Sequence, residues 1–273
     1  MAPERLTNFG DPTWGEAGAD HVARYLFAAG FARGKRVLDV GTGLGYGAAI
    51  LRAAGATGVD AFDIDPASVA KARSLFGSTG VNYFVGDSQT FDSSGNRYDL
   101  ICSFENIEHI PDPPAFVRAA FNSLAPEGVL LCSTPAREVT PPFVNGRPAN
   151  PFHLNEWYRD EFAGLFRPAF GDAVDMHAQV EAFGLIQRRA AAETLIRILR
   201  HPLRAGTVHT LTRAGLWLTD RIGFRKIRRA VRMTGDVSGL ACPSPADFPI
   251  VHASLEPLFG KRFAHVAVCR RAA

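Results

Sequence analysis

A glycine-rich turn behind a short apolar run constrains this chain more than any other feature. Arg36–Val40 reads RVLDV, and Gly41-Thr42-Gly43-Leu44-Gly45 follows, opening a helical pattern that runs through Ile50–Ala54. Glycine takes positive φ at no steric cost and lets the backbone approach a ligand closely. A buried strand, a tight glycine turn and a helix N-terminus together open a nucleoside-binding βαβ unit. Asp63 ends the next apolar run, 22 residues beyond Gly41. That is the position for a carboxylate that accepts hydrogen bonds from a ribose diol. The pattern alone suits a nicotinamide enzyme as well as any other nucleoside-bearing cofactor.

The rest of the first half keeps the same rhythm. Thr57–Phe62, Val81–Val85, Leu100–Phe104 and Val129–Ser133 are short apolar runs separated by helical patterns, which predicts a parallel sheet covered on both faces. Asp65-Pro66 starts a helix over Ala67–Phe76, with proline in the favoured first turn. Asp112 caps another that carries Phe116, Ala119, Ala120 and Leu124 on one face. After Ser133 the pattern changes. Pro135–Pro151 holds five prolines and reads as an irregular loop, and Asn155 is placed to cap a helix over Glu156–Phe166. Val174–Ala178 and Phe263–Cys269 complete the expectation, as a closing antiparallel pair in a mostly parallel seven-stranded sheet.

Between that pair lies a basic, mostly helical insertion, residues 184–249, in what is otherwise a single domain over 1–273. From Arg188 to Arg232 there are eleven arginines and Lys226 against only Glu193 and Asp220. Of the total charge of +3, this stretch therefore holds +10 and the rest of the chain −7. Cys102, Cys132, Cys242 and Cys269 show no CxxC spacing, and Cys102 and Cys132 fall in buried runs. Reduced packing thiols in a cytoplasmic protein are expected rather than disulfides or a zinc site. No apolar run approaches membrane-spanning length, and Met1–Pro12 lacks the order of a signal peptide.

Several stretches, taken in order over roughly residues 20–170, resemble class I S-adenosylmethionine-dependent methyltransferases. Val37–Tyr46 (VLDVGTGLGY) resembles their first motif, and Ala61–Pro66 (AFDIDP) their second-strand motif. Gly86-Asp87-Ser88 resembles the end of their third strand, Tyr98–Phe104 the fourth strand, and Leu124–Leu131 the turn into the fifth. The resemblance implies a Rossmann-like methyltransferase fold with S-adenosylmethionine as cofactor and S-adenosylhomocysteine as product. It implies that Gly41, Gly43 and Gly45 hold the methionine end, Asp63 the ribose hydroxyls and Asp87 the adenine amino group. Ile64, Ser88 and Phe104 would lie beside them, and Asp39 would orient the loop or the methionine ammonium. His21–Tyr25 resembles an N-terminal helix that closes over the cofactor in some of these enzymes, which brings in Tyr25.

Just past the fourth strand comes Glu105-Asn-Ile-Glu-His109. Strand ends in such sheets face the ligand crevice. If the chain turns helical there, Glu105, Glu108 and His109 stand at i, i+3 and i+4 on one side. Two carboxylates and an imidazole suit a divalent metal such as Mg2+, and equally a general base with an orienting carboxylate. The ExxEH run followed by Ile110–Pro113 resembles the ubiquinone-pathway O-methyltransferases and the small-RNA 3′-end 2′-O-methyltransferases. In both, the glutamates and histidine bind a divalent cation that engages neighbouring acceptor oxygens. The small-RNA family adds a second histidine in a segment like His153–Phe162, which implies His153 as a fourth ligand. Its alternative role is to tether the proline-rich loop.

An activated sulfonium donor needs an aligned, deprotonated acceptor, and a cation bound to a sugar hydroxyl lowers its pKa and fixes its orientation. A sugar diol or a catechol suits such a site, so O-methylation is expected, with His109 and Glu108 at the chemistry. Ser133–Pro135 and Asn150–Leu154 resemble methyltransferases of glycan and cell-surface polysaccharide pathways. The basic insertion has a plain reading, a lid or homodimer surface with a solvated face. It has two sharper ones: attraction to an anionic, lipid-linked glycan at the inner face of the membrane, or to RNA. Only Trp217 and Phe224 interleave with its arginines, which weighs against RNA. A phenolic metabolite is a further acceptor class. A rival of another kind is a protein that keeps the fold, has lost catalysis and works through the basic surface.

Overall fold

The computed structural model describes residues 14–91, 95, 97–182, 248, 250–253 and 260–273. The basic stretch 188–232 and Cys242 lie outside the described residues. All that is described, Ala182 apart, belongs to one compact unit.

Eight strands form one sheet: β1 (Arg36–Val40), β2 (Gly58–Asp63), β3 (Asn82–Val85), β4 (Tyr98–Phe104), β5 (Leu124–Pro135), β6 (Val174–Ala182), β7 (Ile250–His252) and β8 (Gly260–Arg270). Their order across the sheet is β3-β2-β1-β4-β5-β8-β6-β7. The first five pair in parallel, and β8 runs antiparallel to β5. β1 is central, and its side chains alternate between two cores as pleating requires. Val37 joins Leu100 and Cys102 under α1 (Trp14–Ala32), α2 (Tyr46–Ala53) and α3 (Pro66–Phe76). Leu38 and Val40 join Ile101 under α4 (Pro113–Ser123) and α5 (Arg159–Phe170). With both faces covered, the strands read as continuous apolar runs.

The expected caps are in place. Asp65 accepts from the amides of Ala67 and Ser68 at the start of α3, and Asp112 from that of Ala115 at the start of α4. Cys102, Cys132 and Cys269 are buried free thiols. On β6, the buried Gln179 donates to the carbonyls of Asp20 and Phe248, tying α1 to the far side of the sheet.

Three local expectations need correction. The sheet has eight strands rather than seven, because Ile250–His252 adds a three-residue strand against β6. So short a run gives no periodic signal. Helix α5 begins at Arg159, not Glu156: Glu161 accepts from the Tyr158 amide, while Asn155 instead donates to the Ile110 carbonyl. The ExxEH run, finally, is not α-helical. Glu105 takes a left-handed φ of 50°, and only Ile107–His109 forms a 3-10 turn.

Candidate functional site

The carboxyl ends of β1, β2 and β4 open into a cleft of about 370 Å³, walled by the glycine loop, α1, the ExxEH run and the proline-rich loop. Gly41, Gly43 and Gly45 all have positive φ. The amides of Gly41 and Thr42 donate to the Phe62 carbonyl, and that of Gly43 to Asp63 Oδ2 at 2.9 Å. The loop is thus fastened to the end of β2. A side chain at Gly41 would put its Cβ 2.8 Å from the Asn106 side chain, so only glycine lets the two turns meet here.

Asp39 lies beneath the loop, fully buried. Its carboxylate accepts from Thr42 Oγ1 at 2.6 Å and from the Tyr25 phenol at 3.0 Å. Burial pushes its pKa up to about 6, although the Thr42 and Tyr25 donors work the other way. Through these two bonds Asp39 ties the loop to α1. The Tyr25 ring sits edge-on to Tyr46 and Phe104.

Tyr25, Gly41, Gly43, Asp63, Phe104, Glu105, Glu108, His109 and His153 all line the cleft, as the sequence placed them. Gly45 stands behind it, its carbonyl accepting from the Tyr83 phenol. Ile64, Asp87 and Ser88 are not in the wall formed by the described residues. Asp87 accepts from the Gln89 amide in a local turn, and Ser88 Oγ accepts from Asn106 Nδ2. Sequence reasoning did not single out Tyr46, Ser68, Asn106 and Phe152 as wall residues, and His21 entered it only as the start of the helix expected to close over the cofactor. Burial, reinforced by Arg24, holds the His21 imidazole well below the usual histidine range, so it is neutral.

Glu105 and Glu108 have separate surroundings. Glu105 Oε1 accepts from Ser133 Oγ at 2.7 Å, and Oε2 lies 3.6 Å from Arg24, which also reaches Asp20 at 3.5 Å. The Arg24 side chain is 1% exposed. Burial opposes its charge, but Glu105 and Asp20 outweigh that and raise its pKa. Burial likewise pushes Asp20 up to about 6, against the pull of Arg24.

Glu108, by contrast, converges with the two histidines: one ligand atom each from Glu108, His109 and His153 lies within 4.8 Å of the others. Glu105 is not in this group, which corrects the expected four-ligand set. Its left-handed backbone turns it toward Ser133 and Arg24. Glu108 is buried, and burial together with the Glu105 charge raises its pKa well above the carboxylate range. Its Oε2 has no hydrogen-bond partner. His109 Nδ1 lies 2.9 Å from the Phe152 carbonyl, so it is the protonated nitrogen, leaving Nε2 with the lone pair 4.0 Å from Glu108 Oε1. A buried, orphaned carboxylate oxygen beside two imidazoles is a donor set that fits a divalent cation or a transferred proton.

Fold, cleft and sequence together define a class. Residues 16–188 match the family model described as a methyltransferase domain, and the chain belongs to that family. A protein of Mycolicibacterium smegmatis named "probable S-adenosylmethionine-dependent methyltransferase" is 33% identical over 61% of this chain and 63% of its own. A ubiquinone biosynthesis O-methyltransferase of Neisseria meningitidis is 32% identical over 45% of this chain and 49% of its own. The matched stretch thus spans about half to just under two thirds of these relatives. Among solved structures, an S-adenosylmethionine-dependent methyltransferase from Mesorhizobium loti superposes with a TM-score of 0.52 at 16% identity, covering 94% of this chain and 100% of its own. The [4+2]-cyclase SpnF does so with a TM-score of 0.54 at 18% identity, covering 97% and 86%. These two show the shared fold alone. The class shown is that of the methyltransferase-domain proteins, with the Rossmann-like fold expected from the sequence.

Proposed function

We propose that this protein is an S-adenosylmethionine-dependent O-methyltransferase whose acceptor hydroxyl docks at Glu108, His109 and His153. One observation carries the reading: a buried Glu108 with an unpartnered oxygen meets two histidines in the cleft that the glycine loop also walls. The ubiquinone O-methyltransferases among the relatives support oxygen as the acceptor atom. A sugar or glycan diol, or a catechol, is the acceptor class that suits three converging ligands.

S-adenosylmethionine supplies a methyl group on a cationic sulfur, which leaves the protein to bind, align and deprotonate. Asp63, whose Oδ2 accepts from the Gly43 amide and whose Oδ1 accepts from the Asp65 amide, would be the carboxylate that meets the ribose hydroxyls. Tyr25, Phe104 and the loop wall the cleft on the cofactor side. Glu108 Oε2 and the imidazole nitrogens would hold a divalent cation, which supplies Lewis acidity that lowers the acceptor's pKa and fixes its neighbouring oxygens. A metal-free second reading has its own observation, the His109 Nε2 lone pair, which would take the acceptor's proton directly.

The test replaces Glu108 and His109 together by alanine and measures methyl transfer into fractionated acceptor pools alongside cofactor affinity. Transfer is abolished and cofactor binding retained if the site serves the acceptor. An unaltered protein that methylates no glycan, polyphenol or RNA pool would favour a non-catalytic binding role. Activity that survives exhaustive chelation decides for the metal-free reading.

A further inference from the structure

Glu156 has a carboxylate that is only 2% exposed, yet both its oxygens are engaged. Oε2 accepts from Thr140 Oγ1 at 2.6 Å and lies 3.7 Å from Arg137. Oε1 lies 3.0 Å from His153 Nδ1. A carboxylate is only an acceptor in such a contact, so the imidazole proton must sit on Nδ1. Burying a charged group merely to brace a loop is a poor use of it, since an apolar side chain of similar size braces as well without the desolvation cost.

We propose that Glu156 is a positioning residue that fixes the tautomer of His153, making Nε2 the nitrogen offered to Glu108 and His109. His109 is treated the same way by the Phe152 carbonyl, four residues before Glu156. The segment between them is fastened to the third member of the group, since the amides of Leu154 and Asn155 both donate to the Glu108 carbonyl. One short stretch therefore sets both imidazoles and holds itself in register with the carboxylate they face. Histidines that bind metals or move protons commonly owe their orientation to such an outer partner. The inference deepens the reading of the acceptor site given above, but its first readout does not depend on that reading.

That readout is nitrogen NMR of the histidine rings in metal-free, 15N-labelled protein at pH 8. The unaltered protein and Glu156→Gln, whose amide oxygen still accepts, show His153 protonated on Nδ1. Glu156→Ala loses that tautomer preference. Thr140→Val cuts the loop bond to Oε2 and leaves His153 as it was. A tautomer unchanged in Glu156→Ala overturns the inference. So does a Thr140→Val protein that shifts as far as the alanine variant, because the loop and not the carboxylate would then be responsible. Calorimetric titration of the same proteins with Mn2+ adds the second readout: Glu156→Ala weakens binding about 10–100-fold and Thr140→Val does not. Should the unaltered protein bind no cation while the tautomer responds as described, the inference stands and the cation reading alone falls.

Discussion

The Tyr25 phenol donates to the Asp39 carboxylate at 3.0 Å, joining α1 to the end of the central strand directly beneath the glycine loop. Both groups are buried. Helix α1 is thereby part of the cleft wall. The fit depends on Gly47, where a Cβ would fall 2.0 Å from the Tyr25 ring. Gly47→Ala should displace that ring and weaken S-adenosylhomocysteine binding by roughly 10-fold or more, about 1.4 kcal/mol. Tyr25→Phe should cost less, because the ring stays. Calorimetric titration gives the comparison, and equal affinity in all three proteins would remove α1 from the cofactor site.

Asp63 accepts from the Gly43 amide through Oδ2 and from the Asp65 amide through Oδ1, and it lines the cleft. Asp63→Ala should lose charged hydrogen bonds worth about 1.5–3 kcal/mol each, and so bind S-adenosylhomocysteine at least roughly 10-fold more weakly. A variant that binds the product as tightly as the parent would leave Asp63 as a loop brace only.

The buried Asp39 gives a pH signature. Its pKa rises from 3.8 to about 6 on folding, so the folded state holds that proton more tightly than the unfolded chain does. Its contribution is most favourable below pH 4, where both states are protonated. It declines as the pH rises from about 4 to 6 and is then flat. At about 1.4 kcal/mol per pKa unit the decline amounts to roughly 3 kcal/mol. Urea unfolding of the parent and Asp39→Asn across this range should show the difference changing over that window. A constant difference would contradict the assignment.

Arg24 is buried between Glu105 and Asp20. Glu105→Gln leaves the guanidinium with one carboxylate partner and should destabilise the fold by roughly 3 kcal/mol. Adding Arg24→Met should recover much of that, since a buried pair removed whole costs far less than a pair broken. Urea midpoints of the single and double variants decide it, and simply additive losses would mean the two side chains act independently.

Much of the frame was legible because it rests on local rules. The boundaries of β1, the Asp65 and Asp112 caps and the glycine loop follow from apolar spacing and backbone chemistry within a few residues. The cleft's other wall is made by tertiary contacts, and only the family resemblance pointed to it, through His21–Tyr25 and His153. Nothing in the local pattern around Asn106 or Phe152 says that those side chains meet at the ends of β1 and β4. The expected helical face at Glu105–His109 failed for a related reason. Ion pairing with Arg24, 81 positions earlier, and the hydroxyl of Ser133 hold Glu105 in a backbone conformation that its own neighbours do not dictate. Glu156 gave no signal beyond standing three places after a histidine, and it reads as an ordinary helix-start residue until the loop is folded.

The loop between β5 and α5 has two sides with different freedoms. Its inner residues, Glu156 and His153, are bound into the site, and its backbone hangs from the Glu108 carbonyl. Its outer residues include Val144 and Leu154, apolar side chains left open to solvent. Mutation there can therefore proceed with little effect on Glu156 and His153. Drift in acceptor preference among descendants of this chain should accumulate there, in side chains that the chemistry never touches.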